Sequence, residues 1–320
     1  MSSETAMAER LNDPRYKKSW AFDFKKNWAV YVLFVPVLIY EIVLHYIPMF
    51  GIIMAFEDYN VIDGYFGSPW VGFKHFINLF TGEEFLTALR NTVSIALIKG
   101  TIGFIAPIIF ALLLSLLHTK GYKRIVQTFS YLPNFIAAVV VASLVIQFLA
   151  KDGPLTLLLT KFGAENQNWL ANNNIPVFWI IYLFMGIWQS IGWGSIMYVA
   201  AISQVSGDLH EAAAIDGANR LQRLFKITLP NIMPMIVMML VLNVGLSFST
   251  GFDSILLLYM PSTYNVADTV YTYTYRMAFS AGATNYSLSA ASGLFQSVVG
   301  TALLILSNSL SRKLSDTSLF

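Results

Sequence analysis

The chain has 320 residues, of which 56% are hydrophobic and 12% charged, and its formal net charge is +2. Soluble domains usually carry about 25% charged residues, so long apolar runs on this scale indicate a protein that lies in a membrane. The chain has no cysteine, which excludes disulfides and thiolate metal sites. The small net charge favours no particular class of partner.

The first 27 residues form a polar, basic tail without the compact apolar core and cleavage site of a signal peptide. We therefore expect the first apolar run to remain in the membrane as an anchor. Residues 16–28 mix basic side chains with tryptophan and phenylalanine. This composition fits a short interfacial helix and, equally well, a solvated tail with aromatic anchors.

Six apolar runs follow, and each exceeds the roughly 20 residues that cross the hydrocarbon core as a helix. They predict an all-α membrane protein with one bundle over 28–310 and polar tails at 1–27 and 311–320. Prolines at 36, 48, 107 and 133 are expected to kink or loosen the helices. The predicted spans are 28–55, 87–117, 124–150, 176–203, 231–259 and 288–310.

The distribution of lysine and arginine predicts the orientation of the bundle. With the N-terminus in the cytoplasm, the inner segments hold most of these residues. Both termini and the loop at 204–230 are then cytoplasmic. The outer segments are 57–86, 151–175 and 260–287.

The polar loop at 204–230 separates the fourth and fifth runs. Asp208 and Glu211 have the spacing of a capping box, which predicts a short helix at about 209–216. Gly217 then supplies a bend, because glycine adopts positive φ without steric cost.

A second, amphipathic helix is expected at about 218–227. Leu221, Leu224 and Phe225 would share one of its faces. Pro230 would end it and start the next crossing.

Glu211, Ala212 and Ala213 open a pattern that continues at Gly217, Ile227, Leu229 and Pro230. This pattern resembles the cytoplasmic EAA loop of ABC import permeases, and its fixed positions favour that identification over an ordinary connection. The resemblance implies a type I importer permease (MetI-like) fold and a loop that docks on an ATPase. Leu221 departs from the tryptophan or phenylalanine of many members. The implied docking residues are Glu211, Ala212, Ala213, Asp216, Gly217, Ala218, Ile227, Leu229 and Pro230.

The chain contains no G-x-x-x-x-G-K-[ST] phosphate loop. If transport is driven by ATP, the ATPase is a separate chain that binds ATP and magnesium. We therefore expect this chain to bind no cofactor and to be a transport subunit rather than an enzyme.

Further motifs are YIPMFG at 46–51, AFEDY at 55–59, SPWVGF at 68–73, LRNT at 89–92, GFD at 251–253 and DTVYTYTYR at 268–276. They resemble permeases of the LplB-like group, and the resemblance extends over about 28–314. It implies import of a sugar, with an oligosaccharide as the expected form, delivered by an extracellular binding protein. It also implies a second homologous permease, two ATPases, and a place among the lipids of the bacterial cell (inner or plasma) membrane. Nothing indicates a nucleic-acid partner.

Several polar or aromatic side chains within the runs are candidates for the substrate path, because intramembrane polar groups generally face the bundle interior. For a single serine or asparagine, a hydrogen bond between helices is the favoured interpretation. For Asp253 and Gln296, a place on the substrate path is slightly favoured. The candidates are Trp188, Gln189, Asn243, Gly251, Phe252, Asp253 and Gln296.

Lys99 lies within the second run, where a cation is costly unless it snorkels or pairs with an acid such as Glu41. A structural or gating role is open. Glu41 and His45 alone make a weak metal site, and we predict no metal.

The sequence bears on three alternative functions. An ABC permease for a non-sugar solute shares the loop, and an ion-coupled carrier would show internal symmetry and several buried charges, neither of which is evident. The motifs of intramembrane metalloproteases and serine hydrolases are absent.

Overall fold

The computed structural model describes residues 20–247, 252–280 and 284–314, with the backbone alone at 20–23, 245–247 and 310–314. Within this part the chain is almost entirely helical, and one isolated β-bridge joins Glu57 and Trp70. Six of the described helical segments are long and apolar enough to cross a membrane. This confirms the predicted all-α class and the number of spans. Residues 1–19, with most of the predicted tail, and residues 315–320 lie outside the described part.

The residues form two compact units that divide between Ile53 and Met54. In the first unit, α1 (Trp20–Glu41) continues through a π turn at Ile42–Tyr46 and a short turn at Ile47–Met49. No side chain from 24 to 53 is buried within the chain. Glu41 and His45 lie 3.2 Å apart, and no group of three metal-ligating side chains occurs among the described residues.

The second unit contains the other five spans. Its longer helices are α2 (Lys74–Thr81), α3 (Glu83–Ile98), α4 (Phe104–Ser115), α5 (Lys120–Tyr131), α6 (Ala138–Leu149), α7 (Pro154–Lys161), α8 (Ile175–Ser203), α9 (Gly207–Ile215), α10 (Arg220–Arg223), α11 (Leu229–Ser247), α12 (Phe252–Leu258), α13 (Val270–Phe279) and α14 (Tyr286–Leu314). Short helical turns occupy Gly64–Gly67 and Tyr264–Ala267, and 3₁₀ turns occupy Phe50–Phe56, Leu132–Phe135, Trp169–Ala171 and Pro261–Thr263.

The third predicted span, 124–150, was wrong as a continuous helix. α5 ends in the 3₁₀ turn that contains Pro133, and Ile136 and Ala137 are extended before α6 begins. Pro133 lacks a backbone donor, which favours the change from α-helix to the 3₁₀ turn at this point, although Leu132 before it keeps helical angles. Gln189 Nε2 donates to the exposed carbonyl of Ile136 at 3.1 Å, as non-helical backbone at this depth requires. The apolar segment that satisfies the spanning criterion is Ala138–Lys161.

A close approach between α5 and α8 fixes the first half of this broken segment. A Cβ added at Gly192 would lie 2.0 Å from the carbonyl oxygen of Ser130. Only glycine permits two helix backbones to approach this closely.

Two π turns interrupt the spans of the second unit, at Lys99–Gly103 between α3 and α4 and at Leu224–Thr228 between α10 and α11. Each precedes a proline, Pro107 and Pro230 respectively. Because a π turn widens the helix, it accommodates the missing donor and the bulk of a proline ring without ending the helix. Such turns occur frequently at functional sites.

The segments at 57–82 and 259–280, which we call the cap, share one apolar cluster with α3, to which Leu79, Phe85 and Val270 belong. Hydrogen bonds and an ion pair join the second segment to α3. Asn91 Nδ2 donates to the carbonyl of Asp268 at 2.9 Å, and Thr92 Oγ1 accepts from the Val270 amide at 2.8 Å. Arg276 donates to the Asp268 carboxylate at 2.8 Å and to Glu84 at 3.1 Å. Burial raises the pKa of the Asp268 carboxyl, while hydrogen bonds to the carboxylate oppose the rise. The cap is therefore built by the side chains of two of the sequence motifs.

Candidate functional site

The loop between α8 and α11 begins with a capped helix. Ser206 is the N-cap of α9, and its Oγ accepts from the Asp208 amide at 3.2 Å. The predicted capping box of Asp208 and Glu211 was therefore wrong, because both residues lie inside the helix. Ser206 comes two residues earlier and satisfies the same free amides. Asp208 instead places its negative charge in the first turn, where the helix dipole stabilises it.

The bend predicted at Gly217 is confirmed, since its φ is +79°. α9 ends there in a Schellman motif. The Ala218 amide donates to the Ala213 carbonyl at 2.9 Å, and the Gly217 amide donates to the Ala214 carbonyl at 3.1 Å. These two bonds close the last turn of the helix, so the four-residue spacing from Ala213 to Gly217 corresponds to about one helical turn.

The second half of the loop starts with a capping box of Asn219 and Gln222, whose side chains each accept from the other's amide at 2.9 and 2.8 Å. α10 then passes through the π turn into α11 without a break, and the Leu229 amide donates to the Leu224 carbonyl. The prediction that Pro230 ends this helix was wrong, because the wider π turn accommodates the proline.

Leu221, Leu224 and Phe225 do not share one face as predicted. Leu224 is buried, whereas Leu221 and Phe225 are more than half exposed. Leu224 packs in an apolar cluster with Ile108 of α4 and Ile232 of α11, and the five-residue turn at this point changes the direction of successive side chains. The loop is thus anchored to two spans by one buried leucine.

The two halves of the loop also contact each other. Arg223 Nη1 donates to the His210 carbonyl at 3.3 Å. Arg223 and His210 line, with residues at the ends of α4 and α8, a cavity of about 250 Å³ behind the loop. The loop is therefore a folded unit rather than an extended connection.

The free surface of α9 is small and acidic. Glu211, Ala212, Ala214 and Asp216 are exposed, and Ile215 is 86% exposed. Ala213 and Ala218 are partly exposed, as are Ile227 and Leu229 in the second half of the loop, while Pro230 is exposed. Leu209 and Asp208 of α9 are exposed as well. A surface with two large apolar side chains beside three carboxylates suits insertion into a groove on another protein.

A second feature is a cleft of about 330 Å³ within the spans, lined by α4, α8, α11 and the π turn at Lys99–Gly103. Its aromatic walls include Phe104, Tyr182 and Trp193, and its polar groups include Ser190. The lining along α8 runs from Tyr182 to Tyr198, a separation of about 24 Å in an α-helix. The cleft is thus elongated along α8.

Lys99 also lines this cleft, and its Nζ lies 5.8 Å from the centre of the Tyr182 ring. This distance is at the outer limit of a cation–π contact. Among the described residues of the second unit, Lys99 forms no hydrogen bond or ion pair with a carboxylate.

The sequence analysis did not select Tyr182 or Tyr198, although a usable signal was present. The residues at 182, 186, 190, 194 and 198 are Tyr, Gly, Ser, Gly and Tyr, and all five line the cleft. Residues four apart lie on one face of a helix. A stripe of small and polar residues at this spacing marks the face of α8 that borders the open space.

The structure separates the predicted path residues. Asn243 lines the cleft. Trp188 instead lines an apolar cavity of about 610 Å³ between α6, α7 and α8, and Gln189 caps the break before α6. Their neighbours on α8, Ser190 and Trp193, face the cleft.

The remaining candidates lie elsewhere in the second unit. The Phe252 ring packs on Tyr271 at 5.0 Å, and Asp253 is exposed. Gln296 is buried in α14, and its Nε2 has no hydrogen-bond partner among the described residues. Gly251 lies outside the described residues.

Comparison with known proteins finds a matching family model and several relatives of this chain. A family model described as "Binding-protein-dependent transport system inner membrane component" matches residues 103–316. Protein LplB of Bacillus subtilis (strain 168) is 36% identical over 94% of this chain and 94% of that protein. The polygalacturonan/rhamnogalacturonan transport system permease protein YteP of the same organism is 39% identical over 91% of this chain and 90% of that protein.

A solved structure is also similar. A chain of a bacterial alginate ABC transporter, crystallised in complex with an alginate pentasaccharide-bound periplasmic protein, matches with a TM-score of 0.84 and 36% identity. The match covers 94% of this chain and 100% of that one.

Proposed function

Because this chain belongs to the family of binding-protein-dependent transport system inner membrane components, we propose that it carries a saccharide through the membrane as one permease subunit of an ABC importer. The chain is a multi-pass membrane protein and a transport subunit rather than an enzyme. The ion-coupled carrier considered from the sequence does not fit this family.

The observation that carries the saccharide assignment is the elongated cleft. Its aromatic side chains offer flat apolar faces for sugar rings, and Ser190 and Asn243 offer hydroxyl and amide groups for sugar hydroxyls. Its volume of about 330 Å³ lies within the range of small-molecule pockets. The complex of the alginate transporter with a pentasaccharide-bound periplasmic protein supports the same substrate class here.

Energy would arrive through the loop, which we propose as the docking surface of a separate ATPase. Glu211, the alanines that follow and Gly217 present the small surface described above, and the buried Leu224 connects it to α4 and α11. The partners would be the ATPase subunits, a second homologous permease that completes the path, and an extracellular binding protein that delivers the sugar. ATP and magnesium would bind on the ATPase.

We further propose that both termini and the loop face the cytoplasm of a bacterial cell, in its inner or plasma membrane. Arg220, Arg223 and Lys226 in the loop and the basic residues of the tail support this orientation. In this arrangement the cap faces outward, where the binding protein would dock. The permease domain would be 28–310, between tails at 1–27 and 311–320.

The proposal is tested by purifying the tagged chain from its native membrane and reconstituting the complex in proteoliposomes. We expect an ATPase and a second permease to copurify. Saccharide uptake should require both ATP and the binding protein. Uptake that continues when the ATPase is inactivated, or a complex that transports only non-saccharide solutes, would overturn the proposal.

A further inference from the structure

We propose that the saccharide carried through the cleft is acidic, and that Lys99 is the residue that receives its carboxylates. This inference rests on the proposed function, because it assumes that the cleft is part of the sugar path. It assigns to that sugar a chemical class, oligosaccharides that contain uronic acid units.

The first step of the argument is that, among the described residues of the second unit, no carboxylate lies beside Lys99 in the spans that line the cleft. The three spans that line the cleft are Glu83–Ser115, Ile175–Ser203 and Arg220–Val244, and their only acidic residues are Glu83 and Glu84. These lie at the far end of α3, about 22 Å from Lys99 along the helix. Glu84 is also already paired with Arg276 at 3.1 Å.

The second step concerns the cost of such a cation. A lysine near the centre of a membrane helix costs roughly 2.5–3.5 kcal/mol on insertion scales and is generally found at an ion or substrate pathway. No residue lining the cleft is acidic, and the nearest compensation is the Tyr182 ring at 5.8 Å. An anion that enters the cleft would supply the missing partner.

The third step is the local geometry. Lys99 is the first residue of the π turn at Lys99–Gly103, which interrupts the span next to the cleft. Aromatic and hydroxyl groups along the same cleft fit sugar rings, while the ammonium fits a carboxylate. A substrate with both features, a sugar chain bearing carboxylates, uses all the groups that the cleft presents.

The test uses the intact reconstituted importer with its binding protein and three pairs of trisaccharides. Each pair is a uronate (galacturonate, mannuronate or glucuronate) and the neutral sugar made from it by reducing the carboxyl groups, so that only the charge differs. ATP-dependent uptake is measured for the unmodified chain and for Lys99→Gln, Lys99→Arg and Lys161→Gln. The affinity of the binding protein for each sugar is measured separately, and uptake is compared at equal saturation.

We expect at least one uronate to be taken up in preference to its neutral partner. Lys99→Gln should lower uptake of the uronate by about tenfold, the equivalent of about 1.4 kcal/mol, and leave uptake of any transported neutral sugar within about twofold. Lys99→Arg should retain most of the preference, since it keeps the charge. Lys161, which is exposed at the end of α7, is the matched control, and its loss should change neither rate.

Ser190→Asp provides an independent variant that adds a negative charge to the same cleft. Ser190 Oγ donates only within its own helix, to the Gly186 carbonyl at 2.7 Å, so the change breaks no bond between helices. Because the variant also removes a hydroxyl that is proposed to contact sugars, uptake of both sugars should fall, and uptake of the uronate should fall further because the added carboxylate repels it.

Three results would overturn the inference. The importer could take up only the neutral members, which would leave the saccharide function intact. Lys99→Gln could slow uptake of both members equally. Lys99 would then pair with an acidic residue of the second permease or stabilise the fold, and it would not bind the substrate. Finally, none of the six sugars could be taken up, which would refute the inference alone. If the importer then proved to carry only non-saccharide solutes, the proposed function would be refuted as well.

Discussion

The Schellman motif at Gly217 makes the docking surface sensitive to one backbone angle. Its φ of +79° lies in the left-handed region, where an L-residue costs roughly 1–2 kcal/mol. A Cβ at this position would meet nothing within 4 Å, so the cost is conformational and not a clash. Gly217→Ala should therefore lower the equilibrium constant for forming the docking-competent loop about 5- to 30-fold, because 1.4 kcal/mol corresponds to a factor of ten.

A graded series tests this reasoning. Gly217→Asn should be mildest, since asparagine tolerates positive φ, and Gly217→Val should be most severe, since β-branched residues avoid it. Gly207→Ala is the matched control, because Gly207 lies in the same loop with equally open space and no positive φ. The assay is the affinity of the purified permease complex for its ATPase, together with ATP-dependent uptake. If Gly217→Val docked and transported as well as Gly207→Ala, the argument from φ would be refuted.

Three further predictions concern separate parts of the second unit. Glu211→Lys reverses an exposed charge on the docking surface and should abolish uptake while membrane insertion, measured by fractionation, is unchanged; normal uptake would remove Glu211 from the interface. Gly192→Ala would place a Cβ 2.0 Å from the Ser130 carbonyl oxygen and should destabilise the chain by about 1–3 kcal/mol, seen as a lower Tm in detergent, whereas an unchanged Tm would contradict the close packing. Asp253→Ala or Gln296→Ala should alter substrate preference or rate, and unchanged uptake kinetics across several sugars would remove both residues from the path.

The sequence predicted the loop's bend but not its caps. Gly217 could be identified because glycine is the residue that adopts positive φ at no cost. The capping box was misplaced because Ser206 and Asp208 are both good N-caps, and only the helix start decides between them. The fate of Pro230 was equally open, since a proline ends a helix unless the preceding turn widens.

The cleft was harder to predict because it depends on how the spans pack. A single serine or asparagine within an apolar run does not show whether it lines a path or bonds to another helix. Of the neighbours on α8, Trp188 lines the apolar cavity and Gln189 bonds to the Ile136 carbonyl. The stripe from Tyr182 to Tyr198 marks a face of α8, but it does not show whether that face meets another helix or an open space. That difference is decided by the volume of side chains on α4 and α11.

The structure also shows the role of two motifs on which the resemblance to the LplB-like group rests. Asn91 and Thr92 of α3 bond to the backbone of Asp268 and Val270, and Arg276 pairs with the Asp268 carboxylate, so these residues hold the cap on α3 and do not line the cleft. They therefore identify the family through its architecture, and they do not select a substrate. The substrate class must be inferred from the cleft, where Lys99 is the one charged side chain of the lining.

The loop and the cleft share the same two helices. α8 leads into the loop and α11 leads out of it, and both line the cleft together with α4. Leu224 contacts α4 and α11 from within the loop, and the π turn beside it is the point where the helix is most easily adjusted. We therefore expect a displacement of the proposed docking surface to reach the walls of the cleft through these helices, without a relay through the cap. In the proposed importer, this connection would let ATP binding on a separate chain change the access of a sugar to Lys99.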